Sequence, residues 1–295
     1  MPVGFGSGHE AIDDSDALPY EFQVGYLANQ EDVLNGEQLI FEMLKDAPRK
    51  GVVLTLISAL TDAANVLSKH HELFCEKVRR VVIMGGVACS GDFPELDSDG
   101  FFLPDLAAQN HAFDTAATEY LYRNLQENAI PMTVLSRYAA AQAKVPRALY
   151  DDMADTGHPV GIRLRDAQKK AIEELWRRVN LPDGDAGRLG LPGRCDSVWF
   201  LKAFCMGKCY VKGGIWELID GFMLYDPCTL IAAMPGLREY FFSPYVHEMD
   251  GVEHFIIGLS DEHHGLSKSK ELSKYLHYAL VESLHMSMQD RRNVA

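Results

Sequence analysis

Apolar residues fall along the chain in short β-branched runs separated by longer amphipathic stretches. Gly51-Val-Val-Leu-Thr-Leu-Ile57, bounded by Lys50 and Ser58, has the pattern of a strand buried on both faces. Ahead of it, Glu31 to Lys45 carries Val33, Leu34, Ile40, Phe41 and Leu44 among acidic residues and stops before Pro48, which predicts a helix. Behind it, Thr61-Asp-Ala-Ala-Asn-Val-Leu67 opens a second helix with Thr61 or Asp62 near its cap, and Arg79-Arg-Val-Val-Ile-Met84 reads as a second buried strand ending in Gly85-Gly86. The order repeats once more. Asp114 caps a run in which Ala117, Leu121 and Leu125 share a face, and Pro131-Met-Thr-Val-Leu135 is a third strand. Such alternation predicts an α/β fold: an open, mostly parallel sheet with helices on both faces and ligands at the carboxyl ends of its strands, where Gly85-Gly86 sits.

Past residue 150 the pattern is helical. Ile172, Leu175, Trp176 and Val179 share a face, and Leu272, Tyr275, Leu276, Ala279, Leu280 and Leu284 form an amphipathic helix near the end. Between them, residues 181–193 are rich in Gly, Pro and Asp and read as a surface loop or lid, with apolar sequence on both sides. One continuous domain over residues 1–295 is expected.

Composition narrows the function classes. With 28 Lys plus Arg against 42 Asp plus Glu and a net charge of -14, the chain lacks the basic stripe that phosphate neutralisation on nucleic acid requires. Its 47% hydrophobic share is enough to fill a core. No apolar run approaches the roughly 20 residues that span a bilayer, and the first residues lack the pattern of a signal peptide, so a cytoplasmic address is expected. The six cysteines contain no Cys-x-x-Cys and are expected to be reduced; Cys195, Cys205 and Cys209 fall short of the usual zinc spacing. Among the histidines, His70-His71 and His263-His264 read as helix-end or loop residues, and His111 is the one expected to meet a substrate.

Small or acidic residues follow the strands in three places: Ser58-Ala59-Leu60-Thr61-Asp62, Met84-Gly85-Gly86 and Leu224-Tyr225-Asp226-Pro227. Asn110 precedes Asp114-Thr-Ala-Ala117. In this order these segments resemble the nucleoside hydrolase family, the inosine/uridine-preferring N-ribohydrolases, and Pro2-Val3-Gly4-Phe5-Gly6 is similar to a strand end of that family. The resemblance implies hydrolysis of the N-glycosidic bond of a ribonucleoside to base and ribose, in purine or pyrimidine salvage. It also implies a calcium ion that holds the ribose hydroxyls and the attacking water, and a homo-oligomer. By carry-over, Asp226 and the Thr61 carbonyl would be metal ligands, Asn110 and Met84 would line the ribose pocket, and Tyr225 stands where the family has a His that serves the leaving base.

The chain departs from the family in particular places. The strand leading into Asp-x-Asp-x-x-x-Asp-Asp, which supplies the family's general base and most metal ligands, is not matched. The acidic stretch from His9 to Asp16 has no apolar strand before it and reads as a solvated loop. Ala108-Gln109-Asn110 replaces Glu-Phe-Asn. Calcium asks for about 6 to 8 oxygen ligands, and Asp226 with Thr61 falls short, so weak or no calcium binding is expected. Absence of the first strand predicts an uncovered strand edge and suggests an incomplete reading of a longer enzyme. Two readings result: a nucleoside hydrolase-like protein without its catalytic loop, or a non-catalytic relative that binds or scaffolds. A third is an unrelated α/β enzyme with Cys89 or Cys228 as nucleophile.

Overall fold

The computed structural model describes residues 4–6, 34–189, 191, 193, 195–207 and 214–294. The acidic stretch from His9 to Asp16, and Cys209, lie outside these. The chain divides into two compact units, one of residues 1–142 and 225–269, the other of residues 143–224 and 270–295.

The first unit is built on a five-stranded sheet: β1 (Val52–Leu56), β2 (Val78–Gly85), β3 (Met132–Ser136), β4 (Tyr245–Met249) and β5 (Val252–Ile257), in the order β4-β5-β3-β2-β1. β1, β2, β3 and β5 run parallel, with Leu56 beside Ile83, Gly85 beside Ser136 and Ile257 beside Leu135, and β4 is antiparallel to β5. Its longer helices are α1 (Gly36–Asp46), α2 (Thr61–Lys69), α3 (His71–Lys77), α4 (Thr115–Glu127), α5 (Tyr225–Ala233) and α6 (Pro235–Phe241), with short helical turns at Gln109–Ala112 and Arg137–Gln142. The expected α/β class, a mostly parallel sheet with helices, is therefore what the chain forms. Val81, Ile83, Met132, Val134 and Ile256, alternate residues on one sheet face, join Leu67, Phe74, Leu121 and Leu125 from the helices in one buried core. Each such side chain contributes about 1.5–3 kcal/mol by leaving water. α5 packs on β1, β2 and β3.

Local chemistry sets the boundaries. The Asn35 side chain accepts from the backbone N–H groups of Glu37 and Gln38, so α1 starts at Gly36 and not near Glu31. Asp114 caps α4 as expected, accepting from Ala117 N at 3.0 Å. At α2 the cap position is Leu60, with Thr61 already helical, because the Thr61 hydroxyl is engaged elsewhere. β1 is half-buried at all five positions, not buried on both faces: among the described residues it pairs only with β2, whereas β3 is buried throughout. The β4–β5 hairpin was not expected from the pattern. Its two-residue turn is Asp250-Gly251, with φ of 50° and 75°, the doubly left-handed turn that matches strand twist. Gly4–Phe5 pairs parallel with Leu34–Asn35 as a separate two-stranded piece.

In the second unit the helices are Ala148–Asp155, Pro159–Val179, Ser197–Cys205 and, from residue 270, the rest of Ser269–Val294. His158 caps the longer of the middle pair through its ring, and Pro159 occupies the first turn, where its missing N–H is no loss. In the turn-rich stretch, Arg178 donates to the Gly187 and Leu189 carbonyls and Arg188 to those of Val179, Leu181 and Cys195. Two guanidinium groups thus fasten it to the helix before it.

Candidate functional site

Parallel strands bring the ends of β1, β2, β3 and β5 to one edge, where the following residues are Ser58 to Thr61, Gly86, Arg137 with Tyr138, and Gly258. Gly86 and Gly258 have φ of 108° and 89°. A Cβ on Gly258 would run into the Ser136 hydroxyl and the Ala139 amide, so only glycine lets the backbone lie this close to β3. A cavity of about 600 Å³ opens beside the end of β5, lined among others by Asp92, Phe93, Tyr245, Gly258 and His263.

The expected site residues are placed along the strand-end edge, apart from that cavity's lining, by identifiable contacts or packing. The half-buried Asn110 donates from Nδ2 to the Met84 carbonyl at 3.1 Å, tying the helical turn Gln109–Ala112 before α4 to the end of β2. Thr61 donates from Oγ1 to Asp114 Oδ2 at 2.8 Å. Because the other Asp114 oxygen caps α4, this one carboxylate holds the N-termini of α2 and α4 together. Asp226, with Tyr225, occupies the first turn of α5, the helix that lies on β1, β2 and β3. Burial raises the Asp226 carboxyl above the ordinary range. It also raises the Tyr225 hydroxyl, which Arg137 draws partly back. Gly6 approaches the same edge, since a Cβ there would lie 3.3 Å from Asp62 Oδ2.

His111 does not line a substrate surface. It is fully buried; its Nδ1 donates to the Asp105 carbonyl at 2.8 Å, and its Nε2 lies 3.3 Å from the Tyr122 hydroxyl. That hydroxyl donates to the Gly86 carbonyl at 2.9 Å. Burial lowers the His111 pKa, so the ring is a neutral strut beneath Gly85-Gly86. A lone histidine carries no sequence mark that separates a strut from a ligand.

No protein-family model matches the chain, and no curated protein does. Solved structures do. The crystal structure of the type III effector protein XopQ complexed with adenosine diphosphate ribose is similar at 34% identity over 87% of this chain and 67% of that one, with a TM-score of 0.71. The effector protein XOO4466 is similar at 32% identity over the same shares, 87% and 67%, with a TM-score of 0.69. The purine-preferring ribonucleoside hydrolase from Gardnerella vaginalis shares the fold, with a TM-score of 0.54 at 14% identity over 97% of this chain and 81% of that one. The chain belongs to the nucleoside hydrolase family.

In this nucleoside hydrolase-family chain the cysteine reading fails on electrostatics. Burial, with Asp105 and Glu95 nearby, pushes the Cys89 thiol up to about 11, and burial pushes Cys228 up to about 12, which leaves almost no thiolate at neutral pH. Cys75, Cys89, Cys195, Cys205 and Cys228 are all free thiols. Among the described residues no three His, Cys, Asp or Glu side chains gather as metal ligands. The two carboxylate oxygens of Asp226 and one carbonyl of Thr61 do not by themselves make a calcium shell of about 6 to 8 oxygens. Two residues of the nucleoside hydrolase edge escaped sequence reasoning as site residues. Asp114 was legible only as a cap, although Thr61 is its second partner; Arg137 follows β3 and looked like any surface arginine.

Proposed function

We propose that this chain binds a ribonucleoside or a ribonucleoside phosphate of the adenosine diphosphate ribose kind at the carboxyl edge of its sheet, with Asn110 and Met84 lining the ribose pocket. The observation that carries the reading is the likeness, at 34% identity over 87% of the chain, to an effector whose crystal structure holds adenosine diphosphate ribose. The geometry agrees with it: Asn110 is held by the Met84 carbonyl, and glycines keep the strand ends open. Equilibrium dialysis with adenosine and with adenosine diphosphate ribose is expected to find one molecule of ligand per chain; retention of neither would refute the proposal.

A second reading, hydrolysis of the N-glycosidic bond, draws on the family and on the raised Asp226 carboxyl, since a carboxyl held nearer neutrality is suited to proton transfer. Release of ribose from inosine or uridine, abolished by Asp226→Asn, is its expected sign. Calcium would supply a Lewis acid for the ribose hydroxyls and the attacking water. The described oxygens are too few for it, so calorimetric titration with calcium is expected to give weak or no binding, and one tight site would contradict this.

A further inference from the structure

We propose that Arg137 is the residue that selects a phosphate-bearing ligand over a neutral nucleoside, its guanidinium accepting a phosphate group of the bound molecule. The inference rests on the binding reading above and adds to it the class of ligand.

Arg137 directly follows Ser136, the last residue of β3, and Ser136 pairs with Gly85, one residue past the Met84 whose carbonyl holds Asn110. Its guanidinium therefore stands at the middle of the carboxyl edge. The strand ends on either side continue into Gly86 and Gly258, so no neighbouring side chain rises from those positions to cover it.

The side chain is exposed, and among the described residues its one hydrogen bond runs from Nη2 to the Tyr138 hydroxyl at 3.1 Å. The guanidinium carbon lies 5.0 Å from the centre of the Tyr138 ring. Asp105 and Asp261 are near enough to stabilise its charge, but neither forms an ion pair with it. Arg123 of the same unit, by contrast, binds Asp97, Asp99 and Glu127.

A guanidinium leaves a planar fork of N–H donors for a partner, and here one face and one donor are already fixed by Tyr138. Phosphate matches that fork with two parallel charge-assisted bonds. A neutral ribose or base does not, because it offers no anionic oxygens. The Tyr138 contact lowers the ordering cost of binding by holding the guanidinium in place before a ligand arrives.

The test is calorimetric titration of adenosine, adenosine monophosphate and adenosine diphosphate ribose into wild type, Arg137→Ala and Arg137→Lys. Wild type is expected to bind the two phosphates more tightly than adenosine, by roughly ten- to a hundredfold. Arg137→Ala is expected to erase that difference while leaving adenosine within about twofold; Arg137→Lys, which keeps the charge and loses the fork, is expected to fall between. The preference in wild type is expected to shrink as salt is raised. If wild type binds all three alike, or Arg137→Ala keeps the preference, the role of Arg137 is refuted while the binding reading stands. If wild type binds none of the three, the binding reading itself is refuted and this inference with it. The exposed position makes folding of both variants straightforward to confirm by thermal melting.

Discussion

Gly85→Ala is expected to destabilise the first unit by about 2–6 kcal/mol, although it adds a single methyl group. The added Cβ would overlap the His111 ring, which is fully buried, anchored by Nδ1 on the Asp105 carbonyl and packed edge-on against Tyr122, so the ring cannot swing aside. Overfilling a packed core costs about 1–3 kcal/mol, and displacing the ring would take the His111 Nδ1–H off the Asp105 carbonyl, at about 1–3 kcal/mol for a buried donor left unpaired. Urea denaturation of the variant measures the loss. His111→Ala introduced into Gly85→Ala removes the obstacle and is expected to cost less than the two separate effects added together. A single variant within about 0.5 kcal/mol of wild type would mean that the end of β2 is softer than the packing implies.

Acid is expected to destabilise the chain through His254 more than through any one surface group. His254 is 1% exposed in β5, and burial, with His247 and Arg80 close by, pulls its pKa from 6.5 to about 4. Its Nδ1 accepts the Met132 backbone N–H at 3.3 Å, which only the neutral ring can do. Because the folded pKa is depressed, the stabilising contribution is complete above pH 6.5. As pH falls from there toward 4, the unfolded chain takes up a proton that the folded chain refuses, and stability is lost. A difference between 6.5 and about 4 corresponds to about 3 kcal/mol, at about 1.36 kcal/mol per pH unit. His254→Gln keeps an acceptor and cannot titrate. Denaturation curves at pH 7 and pH 4 are expected to show wild type losing about 3 kcal/mol more than this variant, and parallel losses would contradict the assignment.

The fold was legible where periodicity and burial coincide. The runs ending at Met84 and Leu135 are strands within one residue of the reading, because Val81–Met84 and Met132–Leu135 are buried at every position and rich in apolar residues. Periodicity misled at Val52–Leu56, since an apolar run looks the same on an edge as in the middle of a sheet. The hairpin could have been found: Asp250-Gly251 between β-branched and aromatic residues is a strong short-range turn signal, masked by the polar residues His247, Glu248, Glu253 and His254 in its strands.

The candidate site was legible in part. The family resemblance named Thr61, Met84, Asn110 and Asp226, residues that the parallel strands and α5 carry to the sheet edge from four separate stretches of sequence. Contacts made only in three dimensions stayed hidden. Thr61 and Asp114 are 53 residues apart, and nothing local to either announces their hydrogen bond. The same holds for Arg137, whose significance comes from the glycines on neighbouring strands and not from its own surroundings in sequence.

The central claim is that the carboxyl edge around Asn110 is a ribonucleoside-ligand site. It is tested most directly by titrating adenosine diphosphate ribose into wild type and Asn110→Ala in a calorimeter, with thermal melting of both proteins in parallel. Saturable one-to-one binding by wild type, weakened at least about tenfold in a variant that still melts cooperatively and is folded at the titration temperature, is the predicted result. Binding that ignores the loss of Asn110, or no binding by wild type at all, would contradict it.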